Sequence, residues 1–127
     1  MEKVRIEKQF KNDLIALAQQ RDIQIRLAHP GCTMCDLTED FEYSSKMYLQ
    51  TFQEILTQEK KDAIQIILQA IKNFVNEGYE CFDDEVLDKK EWKTVQKTAH
   101  SALEIFGWKL ESTSNYKEIE PGVWKKP

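Results

Sequence analysis

The residues with the most chemical capacity in this chain are its three cysteines. Two of them share one short segment with a histidine, His29-Pro30-Gly31-Cys32-Thr33-Met34-Cys35. Thiolate sulfur and imidazole nitrogen are the donors that tetrahedral zinc prefers, and a Cys-x-x-Cys turn lets two sulfurs reach one ion. Gly31 allows the tight backbone such an approach needs. A closed site takes a fourth donor, and Cys81 is the remaining cysteine. The candidate metal ligands are therefore His29, Cys32, Cys35 and Cys81, and zinc is the cofactor that set would take. Two other readings use the same residues. Cysteine is often no more than a small buried apolar residue. Alternatively, Cys32 and Cys35 form a redox pair or a disulfide. Against redox work, Asp36, Glu39 and Asp40 place negative charge beside any thiolate that a helix N-terminus would favour. The strand-helix-strand context of thioredoxin-like pairs is also missing.

Acidic residues gather around the same segments. From Glu77 to Asp88 the chain carries Glu77, Glu80, Asp83, Asp84, Glu85 and Asp88 and no basic residue. Glu80, Asp83, Asp84 and Glu85 are the candidate partner-binding residues, and the partner such a face suits is a basic protein. The plainer reading is that acids collect at helix N-termini and solubilise loops. That accounts for Asp36, Glu39 and Asp88 better than for Glu80, Asp83 and Asp84. The run Asp83-Asp84-Glu85 lacks the alternating ligand spacing of a calcium-binding EF-hand loop.

Arg21 and Ser44 each interrupt an otherwise apolar helical stripe. Both would lie in one layer, roughly 12 Å from the cysteine-bearing end. Such a buried polar layer could hold a carboxylate or phosphate. An Arg that reaches out to solvent beside a tolerated Ser is the simpler account.

Catalytic patterns are absent. Neither His29 nor His100 has a Glu three residues before it, as a di-iron bundle requires. His-Glu-x-x-His, Walker, dinucleotide and nucleophile-elbow signatures are missing. Asp36 rather than His follows Cys35, which excludes haem attachment. His100 would sit about twelve residues into its helix, roughly 18 Å along the axis, and off its apolar stripe.

These side chains must be positioned by helices. Ile6, Phe10, Leu14, Leu17, Arg21, Ile25 and Ala28 recur at steps of three and four, which predicts a first helix over about 2–28, stopped by Pro30 and Gly31. Within it, Ile23 to Leu27 also alternates as a strand would, although no partner strand follows. Asp36 with Glu39 resembles a capping box and opens a second helix over about 36–57, with the stripe Leu37, Phe41, Ser44, Tyr48, Phe52 and Ile55. A third, over about 59–77, carries Ile64, Ile67, Leu68, Ile71, Phe74 and Val75 and stops at Gly78. A fourth, over about 88–106, carries Trp92, Val95, Ala99, Ala102, Leu103 and Phe106 and stops at Gly107. Four amphipathic helices with short connections imply an all-α, antiparallel up-down-up-down four-helix bundle. In that arrangement the first and third connections share one end, which brings Cys81 towards the His29–Cys35 loop. The tail, 108–127, is expected to be extended or a short hairpin, docked through Trp108 and Trp124.

The 127 residues make one domain, with eighteen Lys and Arg against twenty-two Asp and Glu for a net charge of −4. A mildly acidic chain with no basic block is a poor nucleic-acid binder. The longest apolar run, Leu14 to Ala18, is too short for a membrane span. No apolar signal region opens the chain, so a cytoplasmic location and reduced cysteines are expected. The resulting expectation is a small helical protein-interaction module, not an enzyme, with an acidic cysteine-bearing end and zinc fixing its loops. The alternative is a metal- or thiol-dependent enzyme or sensor centred on the His-x-x-Cys-x-x-Cys loop. Broad apolar stripes and the tail tryptophans also suit a homodimer.

Overall fold

A computed structural model describes residues 2–28, 31–78, 84–109, 117–120 and 123–125. Five α-helices dominate: α1 (Glu2–Ala18), α2 (Arg21–Ala28), α3 (Thr33–Phe52), α4 (Gln58–Asn76) and α5 (Lys90–Phe106). A 3-10 turn over Asp84–Asp88 precedes α5, and a short antiparallel pair, β1 (Lys117–Glu120) with β2 (Val123–Lys125), lies in the tail. Buried side chains from α1, α3, α4 and α5 form one apolar cluster. Helix α1 packs against α3 and α5, and α4 against α5, whereas α3 and α4 touch only lightly.

The apolar stripes are the core. Phe10, Leu14, Phe41, Ile64, Ile67, Trp92, Val95 and Ala99 are fully enclosed. Two stripe members are not: Ile55 lies beyond the end of α3 and Val75 faces outward, each more than half exposed. Gly107 adopts φ 74°, and the Trp108 N–H donates to the Leu103 carbonyl at 2.9 Å, closing α5 with a left-handed cap. That cap folds Trp108 back onto the core. Its ring stacks on Phe106 at 4.7 Å between centroids and meets Phe10 edge-on at 6.0 Å. Trp108 thus docks as its size suggests, while the side chain of Trp124 lies outside the described residues.

The expected first helix is two helices. The chain breaks at Gln19 and Gln20, and α2 restarts with the Gln24 N–H donating to the Gln20 carbonyl at 3.0 Å. The cause is a side chain. Gln24 is fully buried, and its amide nitrogen donates to the Ala16 and Leu17 carbonyls at 3.1 and 3.0 Å, at the end of α1 where carbonyls run out of helical partners. Its amide oxygen accepts from Trp92 Nε1 at 3.0 Å and from Gln96 Nε2 at 3.2 Å. Gln96 Nε2 also donates to the Gln19 carbonyl at 3.0 Å. One glutamine therefore satisfies the break and ties it to α5. The alternating stretch Ile23 to Leu27 is helical, not a strand.

Two other boundaries move. Helix α3 starts at Thr33 with Cys32 as its N-cap residue, so Asp36 lies inside the first turn instead of capping it. The 3-10 turn takes up Asp88, and α5 begins two residues later with Lys89 as N-cap residue. The α4 start fits its sequence: the Thr57 hydroxyl accepts from the Lys60 N–H at 3.2 Å.

Candidate functional site

The end that carries the cysteines is built from the α2–α3 junction, the first turns of α3 and the 3-10 turn, which packs against α2, α3 and α5. Cys32 caps α3 in an extended conformation and is buried at 5% exposure. Cys35, one turn on, is half-buried and belongs to a disulfide that does not include Cys32. Of the alternative readings, a Cys32–Cys35 disulfide is therefore not formed. His29 and Cys81 lie outside the described residues. Among the described residues, no group of three His, Cys, Asp or Glu is arranged to hold a metal ion. A disulfide sulfur carries no thiolate charge, so a four-donor zinc set at this end requires the reduced chain. His100 is exposed on α5, as its place off the stripe implies.

Gly31 has a definite role here. The Asp36 carboxylate packs against its Cα so closely that a Cβ at position 31 would collide with it. The Gly31 N–H donates to the Ala28 carbonyl at 2.6 Å, which turns the chain sharply into α3. Asp36, Glu39 and Asp40 follow within two helical turns. The Asp40 carboxyl is held above the ordinary range, first by burial and then by the negative charges of Asp36 and Glu39. Three carboxylates therefore repel one another at the start of α3.

The rest of the expected acidic face is only partly described. Glu80 and Asp83 lie outside the described residues, as does the side chain of Asp84, which opens the 3-10 turn. Glu85 is exposed. Asp88 is exposed too, and its Oδ1 lies 3.7 Å from Arg21 Nε, an ion pair between elements.

That pair corrects the reading of Arg21. The residue opens α2 instead of sitting mid-helix, and it turns towards the 3-10 turn. Ser44 is buried and serves a different partner: its hydroxyl lies 3.4 Å from the Phe41 carbonyl and also hydrogen-bonds the Asp13 carboxyl. Arg21 and Ser44 thus have separate partners, Asp88 for the one and Asp13 for the other.

Two polar residues stand out that spacing did not single out. One is Gln24, which falls three residues after Arg21 and four before Ala28 and so on the first stripe, where its polar amide was the available signal. The other is Asp13 on α1. Gln9 Nε2 donates to both of its oxygens at 3.0 and 3.1 Å. Its carboxyl is nevertheless raised above the ordinary range, because burial outweighs the Ser44 and Gln9 hydrogen bonds and Asp40 adds repulsion. The available signal was Asp13 lying one residue before the Leu14 of the buried stripe.

Comparison with protein-family models, with curated proteins and with solved structures finds no match to this chain. No helix among the described residues is long and apolar enough to cross a membrane.

Proposed function

We propose that this chain is a small helical protein-interaction module whose cysteine-bearing end receives a basic protein partner. The four long helices form the up-down-up-down scaffold, and α2 and the 3-10 turn shape the working end. The observation that carries this reading is the carboxylate group at the start of α3. Burial, and then the charges of Asp36 and Glu39, hold the Asp40 carboxyl above its ordinary range, so three acids stand together there. A cationic surface relieves that repulsion on docking, and such complementarity acts mainly on encounter rate and specificity. The test is co-purification with a tagged chain, repeated after Glu39→Lys, Asp40→Lys and Glu85→Lys and at raised salt. Loss of a defined partner supports the proposal. Survival of every partner through both treatments removes this end as the docking surface.

The disulfide at Cys35 favours a second reading. Its partner is not Cys32. Reduction would free the Cys35 thiol, and with Cys32, His29 and Cys81 the reduced chain holds a nitrogen-and-three-sulfur set of the kind zinc takes. Oxidised and reduced forms correspond to different compartments. Metal analysis of reduced protein purified without chelator tests this reading. One zinc per chain, with a lower melting temperature in chelator, supports it. Metal-free protein with unchanged stability removes it.

A further inference from the structure

A second surface, independent of the cysteine end, lies where α3 and α4 fail to pack closely. Between them runs a groove of about 590 Å³. Leu49 of α3 and Leu68 and Val75 of α4 line its apolar part, and Glu42, Lys46 and Lys72 stand on its walls. Leu49 and Leu68 are only half-buried, and Val75 is 55% exposed. Positions 65, 68, 72 and 75 repeat at steps of three and four, so α4 carries this stripe beside the buried stripe of Ile64, Ile67, Ile71 and Phe74. The length from Gln65 to Val75 is about 15 Å along the helix. The walls carry two ammonium groups against one carboxylate. Among the described residues neither Lys46 nor Lys72 is in an ion pair.

We propose that this groove receives an amphipathic helix of a partner protein, with its apolar stripe on Leu49, Leu68 and Val75 and acidic residues at its edge facing Lys46 and Lys72. The open form decides between a helix and a small apolar ligand. Sites for small molecules bury most of their ligand's surface. A ligand here would leave one side in water, whereas a helix supplies its own polar outer face. Charge complementarity decides the sign of the flanks, because a carboxylate at either lysine gains a pair that no described residue provides.

The probe is a synthetic fourteen-residue (about four-turn) amphipathic peptide with leucines on one stripe and glutamates flanking it, read by fluorescence anisotropy against the full chain. A copy with lysine flanks is the control. The glutamate peptide should bind saturably, and the lysine peptide about tenfold more weakly. Val75→Asp, at an exposed position, should abolish binding with the circular dichroism unchanged. The double variant Lys46→Glu with Lys72→Glu should reverse the preference between peptides. Absence of saturable binding overturns the proposal, as does equal affinity of the glutamate peptide for the Val75→Asp chain. Sedimentation showing a dimer that Val75→Asp dissociates overturns it in favour of a second copy of this chain. Binding of dodecanoate with the peptide excluded overturns it in favour of a small amphiphile.

Discussion

Trp92 Nε1 donates to Gln24 Oε1 at 3.0 Å, and both residues are completely shielded from solvent. The bond joins the second short helix to the start of α5 across 68 positions of chain. It also completes the bonding of one amide. Gln24 has two donors and an acceptor oxygen with two lone pairs. Its nitrogen serves two carbonyls of α1 and its oxygen accepts two N–H groups. Gln24→Leu keeps the volume and removes all four bonds. The Leu17 carbonyl and the indole N–H then lose this partner, while the Ala16 carbonyl keeps the Gln19 N–H, and each orphaned buried group costs about 1–3 kcal/mol. We expect urea unfolding to show a loss of at least about 2 kcal/mol. A cycle with Trp92→Phe should give a coupling of about 1 kcal/mol. Additive effects of the two substitutions would show that the bond contributes nothing of its own.

The helix break that this glutamine closes marks the limit of what periodicity can reveal. Phe10, Leu14, Phe41, Ile64 and Val95 are recognisable as core because each repeats a side-chain direction set by helical geometry. Gly107 is recognisable as a stop because only a left-handed residue closes that cap at little strain. The break at Gln19 and Gln20 carries no such mark. It is stabilised by a glutamine from the following helix and by Trp92 and Gln96, far along the chain. The Arg21–Asp88 pair depends on that break and was hidden with it. At the cysteine end, spacing singled out His29, Cys32, Cys35 and Cys81, yet it could not choose among zinc, thiol and disulfide. That choice depends on which sulfur lies near Cys35 in space. The α3–α4 groove is equally a property of distance between helices.

Ser44 and Asp13 give a pH-dependent prediction. The folded chain holds the Asp13 proton more tightly than the unfolded chain, because burial raises its carboxyl above the ordinary value. Between about pH 4 and the raised value, the folded state binds more protons than the unfolded state. Stability from this group therefore falls as pH rises through that window and stays lowered above it. Asp13→Asn cannot ionise and keeps an oxygen for Gln9 Nε2. It should melt higher than the parent at pH 7, and the gap should close as the pH is lowered to about 4. A constant gap across that range would mean that the Asp13 charge is not the cause.

Reduction should loosen the cysteine end. A cross-link restricts the unfolded chain, and its loss typically costs about 2–4 kcal/mol. Cys35→Ser and a reducing agent should each lower the melting temperature of the metal-free chain, and the two effects should not add. Cys32→Ser, outside the disulfide, should leave the response to reductant in place. If reductant lowers the melting temperature of the Cys35→Ser chain by as much as it lowers the parent's, the stabilising bond does not involve Cys35.

The aromatic end of the core gives an alkaline counterpart. Tyr48 is 4% exposed, and its ring stacks on Phe10 with centroids 4.3 Å apart and planes 8° from parallel. Burial, and then the charge of Glu7, pushes its phenol up to about 12. The folded chain therefore keeps the Tyr48 proton at pH values where the unfolded chain releases it. The sign is that of Asp13, at higher pH. The contribution is fully present below about pH 10 and is lost as pH rises towards the folded value. Tyr48→Phe retains the stack and cannot ionise. It should match the parent to within about 1 kcal/mol at pH 7, the net worth of at most one hydrogen bond. From pH 10 to 12 it should lose less stability than the parent, as followed by urea unfolding. Difference absorbance at the phenolate band should show the Tyr48 signal only as helical circular dichroism is lost. A phenolate signal near pH 10 from Tyr48, with the helices intact, would place that hydroxyl in water and not in the core.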